Sequence, residues 1–181
     1  MTRIIFTYGL ISGAVIIGGI LATIVFSSSL PPHSNELLGY LIMLVALSSI
    51  LVGVKQHRDQ ALGGVIKFVP ALGIGLGIAV VASLVYVAVW EAYLAMTHYT
   101  YMDHYIAHEL AAKRAAGVTG AAYARAAAEM ESMRAAYANP LIRMLMTFAE
   151  LFPVGLLVAL VTAALVRNPR FLPARSRPMA A

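Results

Sequence analysis

An acidic side chain inside a long apolar run is the first feature that could carry chemistry. Glu150 lies about two helical turns inside the run 144–166, and an aspartate at the centre of a spanning helix costs about 2.5–3.5 kcal/mol on insertion scales. Thr147 precedes it by one turn, and Pro153 has no N–H to bond back along the helix. We predict an intramembrane polar site at these three positions. It is either a proton or substrate site, for which Glu91 is the candidate second acid, or a structural contact between helices.

A short basic loop between two apolar runs, called the basic segment below, is the second candidate. Its relevant residues are Lys55, Arg58, Asp59, Gly63, Gly64 and Lys67. A helix start attracts anions, because it has unpaired N–H groups and the positive end of the helix dipole. If the two glycines open the next helix, the segment is a contact site for a lipid phosphate or an acidic partner. The alternative is that these residues only orient the protein at the headgroup level, with Asp59 paired to Arg58.

Two histidines form the third candidate. His104 and His108 are four residues apart, so both imidazoles would lie on one helical face at a spacing that can hold zinc. No glutamate follows the first histidine, as it does in the metalloprotease motif. We therefore expect interfacial histidines on a polar helix and predict no metal and no cofactor.

The motifs of other catalytic classes are missing from the sequence. It contains no cysteine, which excludes disulfides, thiol catalysis and cysteine-based zinc sites. We find no nucleophile elbow, phosphate-binding loop or dinucleotide fingerprint. The sequence therefore gives no ground for assigning an enzymatic activity.

The composition is that of a membrane protein. Hydrophobic residues make up 61% and charged residues 12% of the chain, whereas soluble domains carry about 25% charged residues. A helix needs about 20 apolar residues to cross the hydrocarbon core. Runs of about that length occupy residues 4–26, 37–54, 65–90 and 144–166. The sequence therefore predicts an all-α polytopic membrane protein with four transmembrane helices.

A long polar segment, residues 91–138, separates the third and fourth runs. It is rich in alanine, glutamate, arginine and methionine, which favour helix, and the glycine-containing stretch 117–120 interrupts it. We predict an extramembrane helical hairpin, in which the third spanning helix continues outward to about Ala116 and a second helix returns. Residues 1–168 then form one four-span domain, and 169–181 form a basic, disordered tail.

Two pairs of glycines at GxxxG spacing mark helix-packing faces. Gly9 and Gly13 lie in the first run, and Gly73 and Gly77 lie in the third. Small residues allow two helix backbones to approach closely. We expect these faces to pack against other helices, within the chain or in an oligomer.

The distribution of positive charge predicts the orientation, because basic residues near short loops and helix ends mark the cytoplasmic side. With four spans, Arg3, the basic segment and the arginine-rich tail share one side. The short loop on the other side has no lysine or arginine, and residues 91–143 are neutral overall. We predict cytoplasmic termini and a periplasmic hairpin in a bacterial inner membrane. The basic residues beside apolar runs have this role, so no nucleic-acid partner is expected.

The basic segment also carries a resemblance. Gly53-Val54-Lys55-Gln56-His57-Arg58-Asp59, followed by Gly63-Gly64 and Phe68, resembles the central motif of the domain-of-unknown-function 4199 family of small bacterial membrane proteins. Later family-like elements are Trp90, Tyr137-x-Asn139-Pro140 and Thr147-Phe148-x-Glu150-x-x-Pro153-Val154-Gly155. The resemblance extends from about Gly9 to Arg167, and His57 departs from the tyrosine expected at its position. It implies the four-span architecture and no particular biochemical activity.

These features lead to two functional hypotheses of different classes. The first is a non-enzymatic accessory or scaffold subunit that binds another membrane protein, or a second copy of itself, through the glycine-containing spans and the hairpin. The alternative is a lipid- or solute-handling protein, in which the basic segment holds a phosphate and Glu150 lies in the helix bundle. Membrane lipids are expected partners in both, and an enzyme ranks third.

Overall fold

The computed structural model describes residues 1–26 and 32–174. Within these residues the chain is helical and contains no strand. The helices are α1 (Thr2–Phe26), α2 (Pro32–Leu47), α3 (Ser49–Ala61), α4 (Phe68–Met96), α5 (Tyr101–Ala115), α6 (Gly120–Ala138) and α7 (Pro140–Val166). The prediction of an all-α fold is confirmed. Residues 27–31, half of the short loop between the first two predicted spans, and the tail from residue 175 lie outside the described residues.

In the part of the chain that the structure describes, four helical stretches are long and apolar enough to cross a membrane. They are Thr2–Gly19, Leu37–Ala61, Phe68–Met96 and Pro140–Val166. The second consists of most of α2 and the whole of α3, which are separated by a turn at Ser48. The prediction of four transmembrane helices is confirmed by length and composition.

The chain divides into two compact units. The first comprises Met1–Tyr86 and Ala149–Ala181, and the second comprises Val87–Phe148. In the first unit, α1, α2, α3 and parts of α4 and α7 pack around an aliphatic core. Fully buried core residues include Leu47, Ile50, Ile74, Ile78 and Leu151.

Glycines allow the helices of the first unit to approach closely. A Cβ atom at Gly9 or Gly13 would overlap Val81 or Val85 of α4, respectively. A Cβ at Gly77 would lie 2.8 Å from Ile5 Cδ1 of α1. These three predicted glycines therefore lie at the contact between α1 and α4.

The fourth predicted glycine faces no neighbouring helix among the described residues. A Cβ at Gly73 would meet nothing described within 4 Å. Gly75, which lies outside the GxxxG pattern, faces α7 instead, where a Cβ would lie 2.9 Å from Ala159 Cβ. Gly155 of α7 faces Ala79 of α4 in the same way, at 2.8 Å. The contact between α4 and α7 thus rests on glycine–alanine pairs.

The basic segment is helical over most of its length, which corrects the prediction of a loop. α3 continues through Lys55 and Asp59 to Ala61. Gly63 and Gly64 have φ angles of +66° and +94°, which suit glycine because it has no Cβ. The Gly64 N–H donates to the Arg58 carbonyl at 3.0 Å. The two glycines therefore end α3, and α4 begins only at Phe68.

The third spanning helix also ends earlier than predicted. α4 stops at Met96, and α5 starts at Tyr101. His98 and Tyr99 have φ angles of 52° and 58°, and the Tyr99 N–H donates to the Leu94 carbonyl at 2.8 Å. This bond, from the third residue after Met96 back to Leu94, is the Schellman pattern. The predicted continuous helix to about Ala116 is therefore wrong.

In the second unit, α5 and α6 contact each other along the chain segment predicted as a hairpin. Gly117, with φ +80°, ends α5 in a Schellman motif, in which the Val118 N–H donates to the Lys113 carbonyl at 3.0 Å. Arg134 of α6 forms an ion pair with Asp103 of α5 at 2.8 Å. The location of this helix pair outside the membrane stays a prediction.

The beginning of α7 is defined by a side-chain cap. Asn139 Oδ1 accepts from the Leu141 N–H at 3.0 Å, which satisfies a helix-start N–H that has no intrahelical partner. Pro140 is the first residue of the helix, where its missing N–H costs nothing. Since α7 starts here, Glu150 is the eleventh of its 27 residues.

The contact between α1 and α4 generates a first testable prediction. Gly13→Val should lower the free energy of unfolding by about 1–3 kcal/mol, because the added side chain overlaps Val85 in a packed core. Gly18→Val on the same helix is the control, since a Cβ there meets nothing described within 4 Å. Reversible unfolding in mixed detergent micelles measures both variants. Equal losses from the two variants would contradict the packing.

Candidate functional site

Arg58 is a fully buried cation that joins α3 to the end of α7. Its side chain is 0% exposed. The guanidinium donates to the Phe171 carbonyl at 2.9 Å and to the Leu172 carbonyl, and its Nη1 lies 3.5 Å from the Val166 carbonyl oxygen. The last carbonyls of a helix have no intrahelical partner and carry the negative end of the dipole. A buried arginine at this position donates hydrogen bonds to such carbonyls and places a positive charge at the negative end of the helix dipole.

These bonds correct the description of the chain after Val166. The segment 169–181 was predicted to be disordered, but its described part, residues 169–174, folds back against α3. The carbonyls of Phe171 and Leu172 accept from Arg58, and a Cβ at Gly64 would lie 3.4 Å from Ala174 Cβ.

The remaining charges of the basic segment are arranged around Arg58. Asp59 accepts from Arg58 Nε at 2.7 Å and forms an ion pair with Lys55 one turn earlier on α3. The predicted pairing of Asp59 with Arg58 is present, although in a helix and not in a tight turn. Lys67 is exposed. The segment therefore does not converge on one external anion, since the Arg58 donors point to carbonyls and to Asp59.

A buried hydroxyl cluster connects α1 to the α2–α3 turn. Ser12 Oγ donates to the Ala46 carbonyl at 2.9 Å and lies within hydrogen-bond distance of Ser49 Oγ. Ser49 Oγ also donates to the Tyr8 carbonyl at 3.3 Å. The sequence analysis did not single out these serines. The signal was available, because Ser12 sits between Gly9 and Gly13 and small polar residues at helix contacts hydrogen-bond across them.

Glu150, the predicted intramembrane acid, lies on the surface of α7. Glu150 is exposed. Its Oε2 accepts a hydrogen bond from the hydroxyl of the buried Tyr86 at 3.2 Å. Pro153 is one turn further along and is also exposed. Because proline has no N–H, the Ala149 carbonyl loses its normal helical donor. The acidic side chain of Glu150 and a backbone carbonyl that lacks its helical donor thus lie next to each other on one exposed face.

The other two residues named with Glu150 have different surroundings. Thr147 is buried and its Oγ1 donates to the Arg143 carbonyl at 3.0 Å, within its own helix. Glu91, the candidate second acid, forms a two-pronged ion pair with Arg143, at 2.7 Å from Nε and 2.6 Å from Nη2. Two-pronged arginine–carboxylate pairs of this kind are among the strong hydrogen bonds in proteins. Glu91 is therefore occupied by Arg143.

Aromatic rings surround the Glu91–Arg143 pair in the second unit. The Arg143 guanidinium lies 5.0 Å from the Tyr99 ring and 5.7 Å from the Tyr137 ring. Trp90 donates from its indole N–H to the Tyr137 hydroxyl at 2.7 Å. Tyrosine and tryptophan rings of this kind concentrate where a membrane meets water. The arrangement closes off the ion pair and leaves its exposed fractions at 6% for Arg143 and 17% for Glu91.

The two candidate zinc ligands both lie on α5. His104 and His108 are both exposed on α5, and His108 Nδ1 lies 3.9 Å from the Glu109 carboxylate. Within the described residues, no group of three histidine, aspartate or glutamate side chains could hold a metal ion.

A cavity of about 500 Å³ opens between the first turns of α1 and the last turns of α3. Polar residues in its wall include Arg3, Thr7, Gln56, His57 and Gln60. This volume falls within the range of small-molecule sites, about 300–1,000 Å³. Of these five polar residues, only Gln56 and His57 belong to the family-like motif Gly53–Asp59.

The buried arginine generates a second prediction. Arg58→Ala should destabilise the protein by about 3–5 kcal/mol, because it removes one of the two partners of Asp59 and the donor to several buried carbonyls. It should also release residues 169–174, which limited proteolysis followed by mass spectrometry detects. Arg58→Lys should not restore the fold, since an ammonium cannot match the planar set of donors.

Lys67→Ala is the control for Arg58→Ala, because it removes a positive charge from an exposed position nearby. It should leave stability and proteolysis unchanged. Wild-type stability for Arg58→Ala would contradict the assigned role.

The Glu91–Arg143 pair generates a third prediction, which a double-mutant cycle measures. Glu91→Gln and Arg143→Met should each reduce the free energy of unfolding by about 3–5 kcal/mol, since each leaves an uncompensated charge. The double variant should lose much less than the sum. Strictly additive losses would show that the two groups do not interact.

Comparison with known proteins agrees with the resemblance found in the sequence. No curated protein and no solved structure is significantly similar to the chain. The model of one family, described as a protein of unknown function (DUF4199), matches residues 7–168. That range includes Arg58, the Glu91–Arg143 pair and Glu150. The chain belongs to the DUF4199 family of proteins of unknown function.

Proposed function

We propose that this protein is a non-enzymatic accessory subunit that binds another membrane protein through the exposed face of α7 around Glu150. The membrane is a bacterial inner membrane, with both termini cytoplasmic and the α5–α6 pair periplasmic. The distribution of basic residues supports this orientation. The observation that carries the proposal is the exposed position of the acidic residue Glu150 within a spanning helix.

The position of Glu150 makes its exposure costly. Ten residues separate it from Pro140 and sixteen from Val166, which corresponds to about 15 Å and 24 Å along the helix. It therefore lies within the part of α7 that the hydrocarbon surrounds, where an acidic group costs several kcal/mol. One phenol at 3.2 Å compensates only part of that cost.

The surface around Glu150 is apolar, so it is suited to contact with another helix and not with water. Leu157 and Val161 follow it at helical spacing on the same side of α7, and they are 62% and 59% exposed. This apolar surface would face lipid or another transmembrane helix. A partner helix that presents a basic or hydrogen-bonding side chain at the level of Glu150 would satisfy both the carboxylate and the Ala149 carbonyl.

The other charged groups argue against a catalytic centre in the spans. Arg58 is bonded to Asp59 and to carbonyls, and Arg143 is paired with Glu91. These groups stabilise the chain itself. The alternative of a lipid-handling protein with its phosphate site in the basic segment has less support, because the Arg58 donors are directed inward.

Site-specific photo-crosslinking in native membranes tests the proposed face. A crosslinking residue at Leu157 should capture a membrane protein, whereas one at Val69, which is 74% exposed on α4, should capture only lipid. Glu150→Leu should reduce the yield at Leu157 about 5–30-fold, as expected for a polar intramembrane contact of about 1–2 kcal/mol. Glu150→Gln keeps a hydrogen-bonding group and should lose less.

The mass of the crosslinked product identifies the partner class. A product of twice the mass of the chain would mean that a second copy occupies the face. Equal yields at Leu157 and Val69, or no effect of Glu150→Leu, would contradict the proposal.

A further inference from the structure

We infer that the cavity between α1 and α3 binds a phosphate-type anion, either the headgroup of a membrane phospholipid or free phosphate. This site is separate from the basic segment predicted from the sequence. It shares no cation with that prediction, because its guanidinium belongs to Arg3 at the start of α1.

The charge of the cavity favours an anion. Arg3 is exposed at its edge, and none of the described residues that line the cavity is acidic. Asp59 belongs to the same helix as Gln56 and Gln60, but it is bonded to Lys55 and Arg58 and is not part of the lining. The positive charge of Arg3 is therefore not cancelled within the cavity.

A hydrogen-bond relay along the cavity wall ends in amide donors. The Tyr8 hydroxyl donates to Gln56 Oε1 at 2.6 Å, and Gln56 Nε2 donates to Gln60 Oε1 at 3.2 Å. Both amide oxygens are thus used as acceptors within the wall. The Gln60 amide N–H groups remain at the end of the relay, and an amide nitrogen can only donate. A site with surplus donors suits a ligand that is rich in acceptor oxygens.

The position of the cavity is consistent with a headgroup. It lies at the ends of α1 and α3, beside apolar side chains such as Ile4. Guanidinium groups bind phosphate oxygens through charge-assisted hydrogen bonds. The half-buried His57 imidazole adds a further hydrogen-bonding group to the same wall.

Native mass spectrometry of the full chain tests this site. The protein is released from nanodiscs of phosphatidylcholine with one fifth phosphatidylglycerol, a ratio of about 4:1 chosen to supply anionic headgroups in the leaflets. Wild type should retain one phosphatidylglycerol. Arg3→Ala with Gln60→Leu should weaken this retention about tenfold, as expected for the loss of a hydrogen bond to a charged group.

Lys67→Ala with Arg167→Ala is the matched control. It removes two exposed positive charges that lie outside the cavity wall, so it should retain the lipid at the wild-type level. Thermal unfolding verifies that both double variants fold as wild type does; their substituted residues are exposed. Equal loss of lipid from the two double variants would show diffuse attraction and overturn the site.

A second arm distinguishes the two sources of phosphate. Inorganic phosphate is titrated calorimetrically into wild type in nanodiscs of phosphatidylcholine alone. Binding that Arg3→Ala with Gln60→Leu abolishes would assign the site to free phosphate, whereas retention of phosphatidylglycerol without phosphate binding would assign it to a lipid headgroup. If neither probe binds, or if neither responds to the cavity variant, the inference is wrong.

Discussion

Hydrocarbon offers no hydrogen-bonding partner, so every polar group that enters it must be satisfied by the protein. The chain meets this requirement with a small number of long-range contacts. Arg58 supplies donors to the carbonyls that follow α7, and Ser12 connects α1 to the α2–α3 turn. Arg143 and Glu91 neutralise each other among aromatic rings. Several charged residues that are candidates for a functional site in the sequence therefore act mainly as structural contacts.

The same solvent also removes the usual driving force for packing. Lipid tails are as apolar as leucine, so spanning helices associate through close van der Waals contact. The glycine–alanine contacts between α4 and α7 and the glycine–valine contacts between α1 and α4 provide it. Overlap at these positions would be relieved only by separating backbones. The helices are consequently held by shape and by a few polar contacts together.

The four spans could be predicted because they follow from the length of the apolar runs, which needs no tertiary information. The end of α3 could not be predicted in this way. Charged residues such as Lys55 and Asp59 are typical of a solvent-exposed loop. In the structure they continue α3 to Ala61, because Arg58 between them is buried against carbonyls more than a hundred residues later. No local pattern contains that contact.

The breaks around α5 show the same distinction. Gly117 ends α5 with a residue type that favours a positive φ angle, and the sequence indicates this end clearly. His98 and Tyr99 end the preceding helix in the same backbone geometry without a glycine. A break of that kind, in residues that rarely adopt it, has no signal in the sequence. For the candidate sites, the position of Glu150 in a span could be predicted. Its exposure, its bond to Tyr86 and the pairing of Glu91 with Arg143 required the structure.

The rigidity of α7 connects its internal contacts to the proposed docking face. Arg58 holds the chain just beyond the end of this helix, and Gly155 and Ala159 lock its inner side against α4. Binding then orders few additional backbone degrees of freedom, and the loss of such freedom is a main cost of association. Glu150 projects from a helix whose opposite side is fixed in this way. Contacts that satisfy α7 within the chain therefore also preorganise its exposed acidic face for a partner in the membrane.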